Sequence, residues 1–215
     1  MRVVFAENVL RNRRARRMND VIPLPMKKLV LPVAALLLVP TLAHAHPGHD
    51  VTGFSHGFAH PLGGLDHLLA MLAVGLWAAQ MGGRARWAVP ATFVAVMAFG
   101  GMLGMMGLHL PMVESGIAAS VLVLGLLIAL SARLPLAAAM PLVGLFALFH
   151  GYAHGAEMPA SVSGLEYAAG FALATAALHV AGIGLGMGIQ RATSAPLVRF
   201  AGAAIAITGV VLALG

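Results

Sequence analysis

"HGFAHPLGGLDHLLAMLAVGLWAAQ", residues 56–80, decides the fold class. From Leu68 to Ala79 it carries no charged or hydrogen-bonding side chain except the indole of Trp77. A run of about 20 mostly apolar residues crosses a bilayer as a helix. Yet this run opens on His56, His60, Asp66 and His67. The whole chain has the same character: of 215 residues, 60% are hydrophobic and 9% charged, and the mean hydropathy is +0.92. Soluble domains carry about 25% charged residues. The expectation is an all-α, polytopic membrane helix bundle. A soluble-type binding module is excluded. The absence of cysteine rules out disulfides, thiolate metal sites and cysteine nucleophiles.

Working outward, six spans are predicted at about 58–80, 87–107, 114–132, 136–154, 164–188 and 196–214. Residues 26–45, "MKKLVLPVAALLLVPTLAHA", read as a cleaved signal peptide. Lys27 and Lys28 supply its basic start, and Ala43-His44-Ala45 is a small-residue cleavage site. Pro32, Pro40 and the short length argue against an uncleaved span. Residues 1–25 precede a good start at Met26 and read as an over-extended start. Residues 46–57 form an outer, histidine-containing tail.

Eight of the 13 Lys and Arg lie in residues 1–45. From His46 onward the five Arg balance the five acids. The high isoelectric point therefore belongs to the leader, and nucleic-acid binding gains no support from it. With the mature N-terminus outside, six spans place Arg84, Arg86, Arg133, Arg191 and Arg199 at inner loops. Asp50, Glu114 and Glu157 fall outside, which satisfies the positive-inside rule. Trp77 and Trp87 flank the first inner loop, where interfacial aromatics belong. Gly100–Gly107 and Gly182, Gly184, Gly186 and Gly188 offer small residues for close helix packing. Met97, Met102, Met105 and Met106 read as packing residues, with soft metal ligation the minor alternative.

The chemistry lies in two motifs. "HGFAH" at 56–60 recurs as "HGYAH" at 150–154. His56 precedes span one, whereas His150 is near the end of span four, so a duplicated fold is not implied. Span one begins, and span four ends, at the outer face. Both motifs therefore reach the same depth. On a helical wheel His56, His60 and His67 fall within roughly 40°, and His150, His154 and Glu157 within about 60°. Asp66 lies off the stripe, either as a ligand or as an acceptor orienting a histidine through its ring N–H. Pro61 suits a first helical turn. Ionisable groups inside a membrane cost about 2.5–3.5 kcal/mol each and usually mark a pathway. A satisfied structural pair joining helices is the alternative. Imidazole and carboxylate donors suit Ni²⁺, Co²⁺, Zn²⁺ or Cu²⁺ better than Mg²⁺ or Ca²⁺.

Three further positions bear on a path. Cleavage after Ala45 makes His46 the N-terminus, whose amine and imidazole can chelate a divalent metal with His49 in reach. A solvated tail is the equal alternative. His179 lies about 22 Å below the start of span five, as an exit ligand or a structural hydrogen bonder. Glu166, at the outer end of span five, can face the same site. His109 reads as an ordinary loop residue.

"HPLGGLDH" (60–67) and "FHGYAHGAE" (149–157) resemble the two histidine motifs of the HupE/UreJ family of nickel/cobalt permeases. A signal peptide followed by "HPGHD" is also similar to its members, and the resemblance covers about 46–215. It implies uptake of Ni²⁺ or Co²⁺ across a bacterial inner membrane, multi-pass, with a periplasmic mature N-terminus. It carries over His60, Asp66 and His67 as metal-handling residues, followed by His150, His154 and Glu157.

The leading expectation is thus a secondary transporter and not an enzyme. Its cargo is Ni²⁺ or Co²⁺, its surroundings are lipid, and no cofactor is permanently bound. A homo-oligomer is left open. The competing readings are an intramembrane zinc hydrolase using the same cluster and a haem protein with histidine ligands. No H-E-x-x-H motif supports the first, and no G-x-x-x-x-G-K-[ST] motif supports direct ATP hydrolysis.

Overall fold

Thr52 starts the first helix of the computed structural model, which describes residues 52–192 and 196–215. Its side-chain oxygen accepts from the Ser55 backbone N–H at 3.3 Å, satisfying one of the donors a helix start leaves open. Helix α1 then runs Gly53–Gly63, followed by α2 at Leu65–Met81 and α3 at Ala85–Met105. Next come α4 at Val113–Ala129, α5 at Leu136–Ala156, α6 at Gly164–Ala192 and α7 at Pro196–Leu214. The predicted leader, with the over-extended start at 1–25, the signal peptide at 26–45 and His46 and His49 in the tail, lies outside the described residues.

Five of the six predicted spans each appear as one helix. The first does not. The expected continuous helix at 58–80 is two helices, α1 and α2, bent by 84°. The reason is local. Pro61 lies late in α1 instead of in its first turn, and its ring removes a helix N–H. Gly64 then leaves the helical region, at φ −104° and ψ 127°. Four helices, α3, α5, α6 and α7, are long and apolar enough to cross a membrane. The bent pair makes a fifth if taken as one span, and α4 is apolar but shorter, at 17 residues.

The helices associate in pairs through glycine. Both α1 and α2 pack on α6, α3 packs on α5, and α4 packs on α7. A Cβ added at Gly151 would overlap the Met97 carbonyl, and one at Gly155 the Gly101 carbonyl. Across the same seam, Gly100 and Gly104 meet the α5 backbone. Lipid tails are as apolar as leucine, so close van der Waals contact between backbones is what holds such pairs. The register fixes direction. Residue numbers rise together across α2–α6, where Gly75 meets Gly182, and across α3–α5. They run oppositely across α4–α7, where Gly125 meets Ala206 and Gly209 meets Leu122. The glycine expectation holds at Gly182 and Gly186, whereas Gly184 faces open space.

Trp77 departs from its predicted interfacial place. It is fully buried, and its indole N–H donates to the Ala132 carbonyl at 2.8 Å. Gln80 donates to Ile128 and Arg199 to Ala129. The end of short α4 and the turn after it are therefore tied to α2 and α7 through backbone carbonyls. Trp87, by contrast, is exposed. Met97 is buried in the core, and Met102 and Met106 point outward.

Candidate metal-handling site

The break after α1 is what shapes the site. His60 sits in the last turn of α1, whereas Asp66 and His67 open α2. The 40° stripe expected for one helix therefore does not exist. The rings converge through the bend. His60 approaches His154 with ring centroids 4.8 Å apart. His67 approaches both His154, at 4.6 Å, and His150, at 4.7 Å. Both motifs do meet at one depth, as their opposite directions required.

On α5 the two motif glycines and two motif histidines divide the work. Gly151 and Gly155 face α3, and His150 and His154 lie one residue earlier in each turn. The close α3 contact fixes the rotation of α5 and so the direction of both imidazoles. Gly57 does the same for α1, since a Cβ there would overlap the Tyr167 carbonyl of α6. The glycine at the second position of each pentapeptide is thus a packing residue.

Oxygen atoms pin three of the four rings. His67 Nδ1 is 2.9 Å from Asp66 Oδ1, which also accepts from the His67 backbone N–H at 2.7 Å. A carboxylate only accepts, so Nδ1 carries a proton, and in the neutral ring Nε2 is then bare. Asp66 thus acts as the orienting acceptor, one of the two roles its sequence position allowed. His60 Nε2 donates to Glu157 Oε2 at 2.9 Å. Glu157 caps the end of α5 and is largely exposed, so this pair adds little stability. His150 Nε2 lies 2.8 Å from Ser120 Oγ. His154 has no oxygen partner and lies flat on Phe171, with ring centroids 5.3 Å apart. Buried nitrogens without a protein partner are His67 Nε2, His150 Nδ1 and both nitrogens of His154. An unpaired buried polar group costs about 1–3 kcal/mol.

An open cavity of about 460 Å³ leads to this cluster, lined by His56, His60, Asp66, His67, Glu114 and Glu157 among others. His56 is exposed on the cavity wall. Among the described residues no ring contact or hydrogen bond links it to the other histidines. Glu166 stands apart, exposed at the start of α6 beside Gly53, with its backbone N–H 3.4 Å from Ser163 Oγ. His179 is buried deeper, level with Gly75, and neither ring nitrogen has a protein partner. The Phe93 ring neighbours both His150 and His179, with centroids 5.8 Å and 5.1 Å away. Among the described residues no three His, Asp or Glu groups already hold coordinating geometry. The donors are gathered without being closed on one point.

Three residues escaped the sequence reading. Glu114 enters the cavity from the first turn of α4. It was legible as an acid at an outer helix start. Ser120 and Tyr167 carry no such signal. The Tyr167 ring lies 5.9 Å from His60, and its buried hydroxyl has no protein partner.

The family whose description is "HupE / UreJ protein" matches residues 34–212. Protein HupE of Rhizobium leguminosarum bv. viciae is 48% identical over 188 residues, 87% of this chain and 98% of that one. No solved structure matches the chain. Nothing in the described residues favours the hydrolase reading. Matched along most of its length by a family model and by this relative, the chain belongs to the HupE/UreJ family.

Proposed function

We propose that the protein is a permease carrying a divalent transition metal, Ni²⁺ or Co²⁺, into the cytoplasm of a bacterium. The observation that carries this reading is the cluster of His60, His67, His150 and His154 around unpaired buried nitrogens at the foot of an open cavity. Moderate nitrogen and oxygen ligation lets an ion enter and also leave. The route begins at His56, His60 and Glu157, passes His154 and His67, and continues through His150 towards His179. Glu166 belongs to the outer rim. Metal captured by a tail holding His46 and His49 would arrive at this mouth.

Six passes through an inner membrane, with the mature N-terminus periplasmic, complete the proposal. Parallel α2–α6 and α3–α5 pairs and an antiparallel α4–α7 pair are what alternating passes require. The cavity groups, including Glu114 and Glu157, lie at one end. The end with Arg199 and the tied α4 terminus lies at the other. This supports the inward orientation of the arginines.

Uptake of radiolabelled Ni²⁺ and Co²⁺ into cells tests the site. Asp66→Ala frees the His67 ring and is expected to lower uptake by about 10–100-fold, the usual cost of losing a ligand's orienting partner. His60→Ala and His67→Ala remove donors outright and are expected to lose more. Full transport by all three variants, at wild-type membrane abundance, would falsify the assignment. Acid should act in the same direction. Metal-binding imidazoles must be neutral, so protons compete with the metal and uptake is expected to fall as the medium is acidified. A flat profile from about pH 8 to 5 would show that histidine ligation does not limit transport.

A further inference from the structure

We infer that Ser120 sets the tautomer of His150 and so decides which ring nitrogen is offered to the cargo. The inference rests on the permease reading for its purpose but not for its geometry. Ser120 Oγ lies 2.6 Å from the Ile117 carbonyl oxygen, one turn back on α4. Two oxygens that close repel unless a proton lies between them, and the carbonyl has none. The serine proton is therefore committed to Ile117. The same Oγ lies 2.8 Å from His150 Nε2 and has only lone pairs left to offer. Nε2 must be the donor. A neutral imidazole with its proton on Nε2 carries a bare lone pair on Nδ1. That Nδ1 is buried and has no protein partner.

Ser120 and His150 are both fully buried, so water does not compete for this hydrogen bond. Asp66 fixes His67 in the opposite tautomer, with Nε2 bare. The two rings lie edge to face 4.7 Å apart. One therefore presents Nδ1 and its neighbour Nε2. Without the serine, His150 is free to place its proton on Nδ1, where it would block a ligand atom. Ser120 is a positioning residue, since it acts on the ion only through His150.

The test joins a structural readout to a transport readout. Imidazole nitrogen NMR on isotope-labelled full-length protein in detergent, at about pH 8 so that free imidazole is neutral, reports which ring nitrogen carries the proton. A His150→Gln sample identifies the His150 signals. The expected wild-type result is a proton on Nε2, with Ser120→Ala giving a mixture of both tautomers. A wild-type proton on Nδ1 overturns the inference. In cells, Ser120→Ala is expected to raise the KM for Ni²⁺ uptake about 10-fold, the lower end of the loss seen when an orienting partner is removed. Ser120→Thr keeps the hydroxyl and is expected to restore KM. Wild-type KM in Ser120→Ala also overturns the inference and leaves the permease reading standing. Absence of Ni²⁺ and Co²⁺ uptake by wild type, with the proton on Nε2, removes the permease reading and leaves the tautomer assignment intact.

Discussion

Replacing His154 with alanine is expected to abolish metal uptake, lowering it by more than about 100-fold, past the range for losing a mere orienting partner. Among the aromatic rings of the described residues, that of His154 alone neighbours both His60 and His67. Both of its nitrogens are buried and free of protein partners. Every proposed transfer from the α1 side of the break to the α2 side passes this ring. The substitution opens a cavity against Phe171, which costs stability, but two features offset that cost. It removes a polar ring held by no hydrogen bond and leaves a small residue good for a helix. Uptake of labelled Ni²⁺, normalised to membrane abundance and to retained helical content, checks the result. Transport above a tenth of wild type would place the path elsewhere.

Gly151→Val is expected to fail for the opposite reason, by preventing α3 and α5 from packing. The added carbon would run into the Met97 carbonyl, and backbone cannot turn aside as a flexible side chain can. Overpacking usually costs about 1–3 kcal/mol. Here the cost should lie at or above the top of that range. The variant should accumulate poorly in membranes and unfold at lower temperature in detergent. Gly184→Ala is the matched control. Its added carbon meets nothing within 4 Å, and alanine suits a helix better than glycine. It should be neutral or mildly stabilising. Equal thermal stability of Gly151→Val and wild type would remove the backbone seam as the force joining these helices.

Much of this molecule can be read from its residues because a bilayer allows few solutions. Backbone groups in lipid must be satisfied within the segment, so long apolar runs become helices. Five helices accordingly appear at the expected positions, the last two starting at Gly164 and Pro196 as anticipated, although α4 is shorter than the other four. The first span failed because Pro61, expected in a first helical turn, lies late in α1, and Gly64 follows it outside the helical region. Together they end one helix and begin another. Trp77 was misplaced for a different reason. Its indole N–H finds the Ala132 carbonyl just beyond the end of α4, and no local pattern announces a partner 55 residues away.

The sequence by itself determined the helical class, the ends of most helices, and the meeting of two histidine motifs at one depth. Each follows from local rules: hydropathy, chain direction and charge placement act along the chain. Only the tertiary structure decided how the donors are held. It placed His60 and His67 on separate helices and still against one ring of α5. It turned Asp66 towards His67, brought Ser120 from α4 against His150, and set the Phe93 ring beside both His150 and His179. It also showed that the glycine of "HGYAH" grips α3 while its histidines face the site. These facts depend on the rotation of one helix against another. That rotation is set by close backbone contact across glycines far apart in sequence, so no single stretch of the chain carries it.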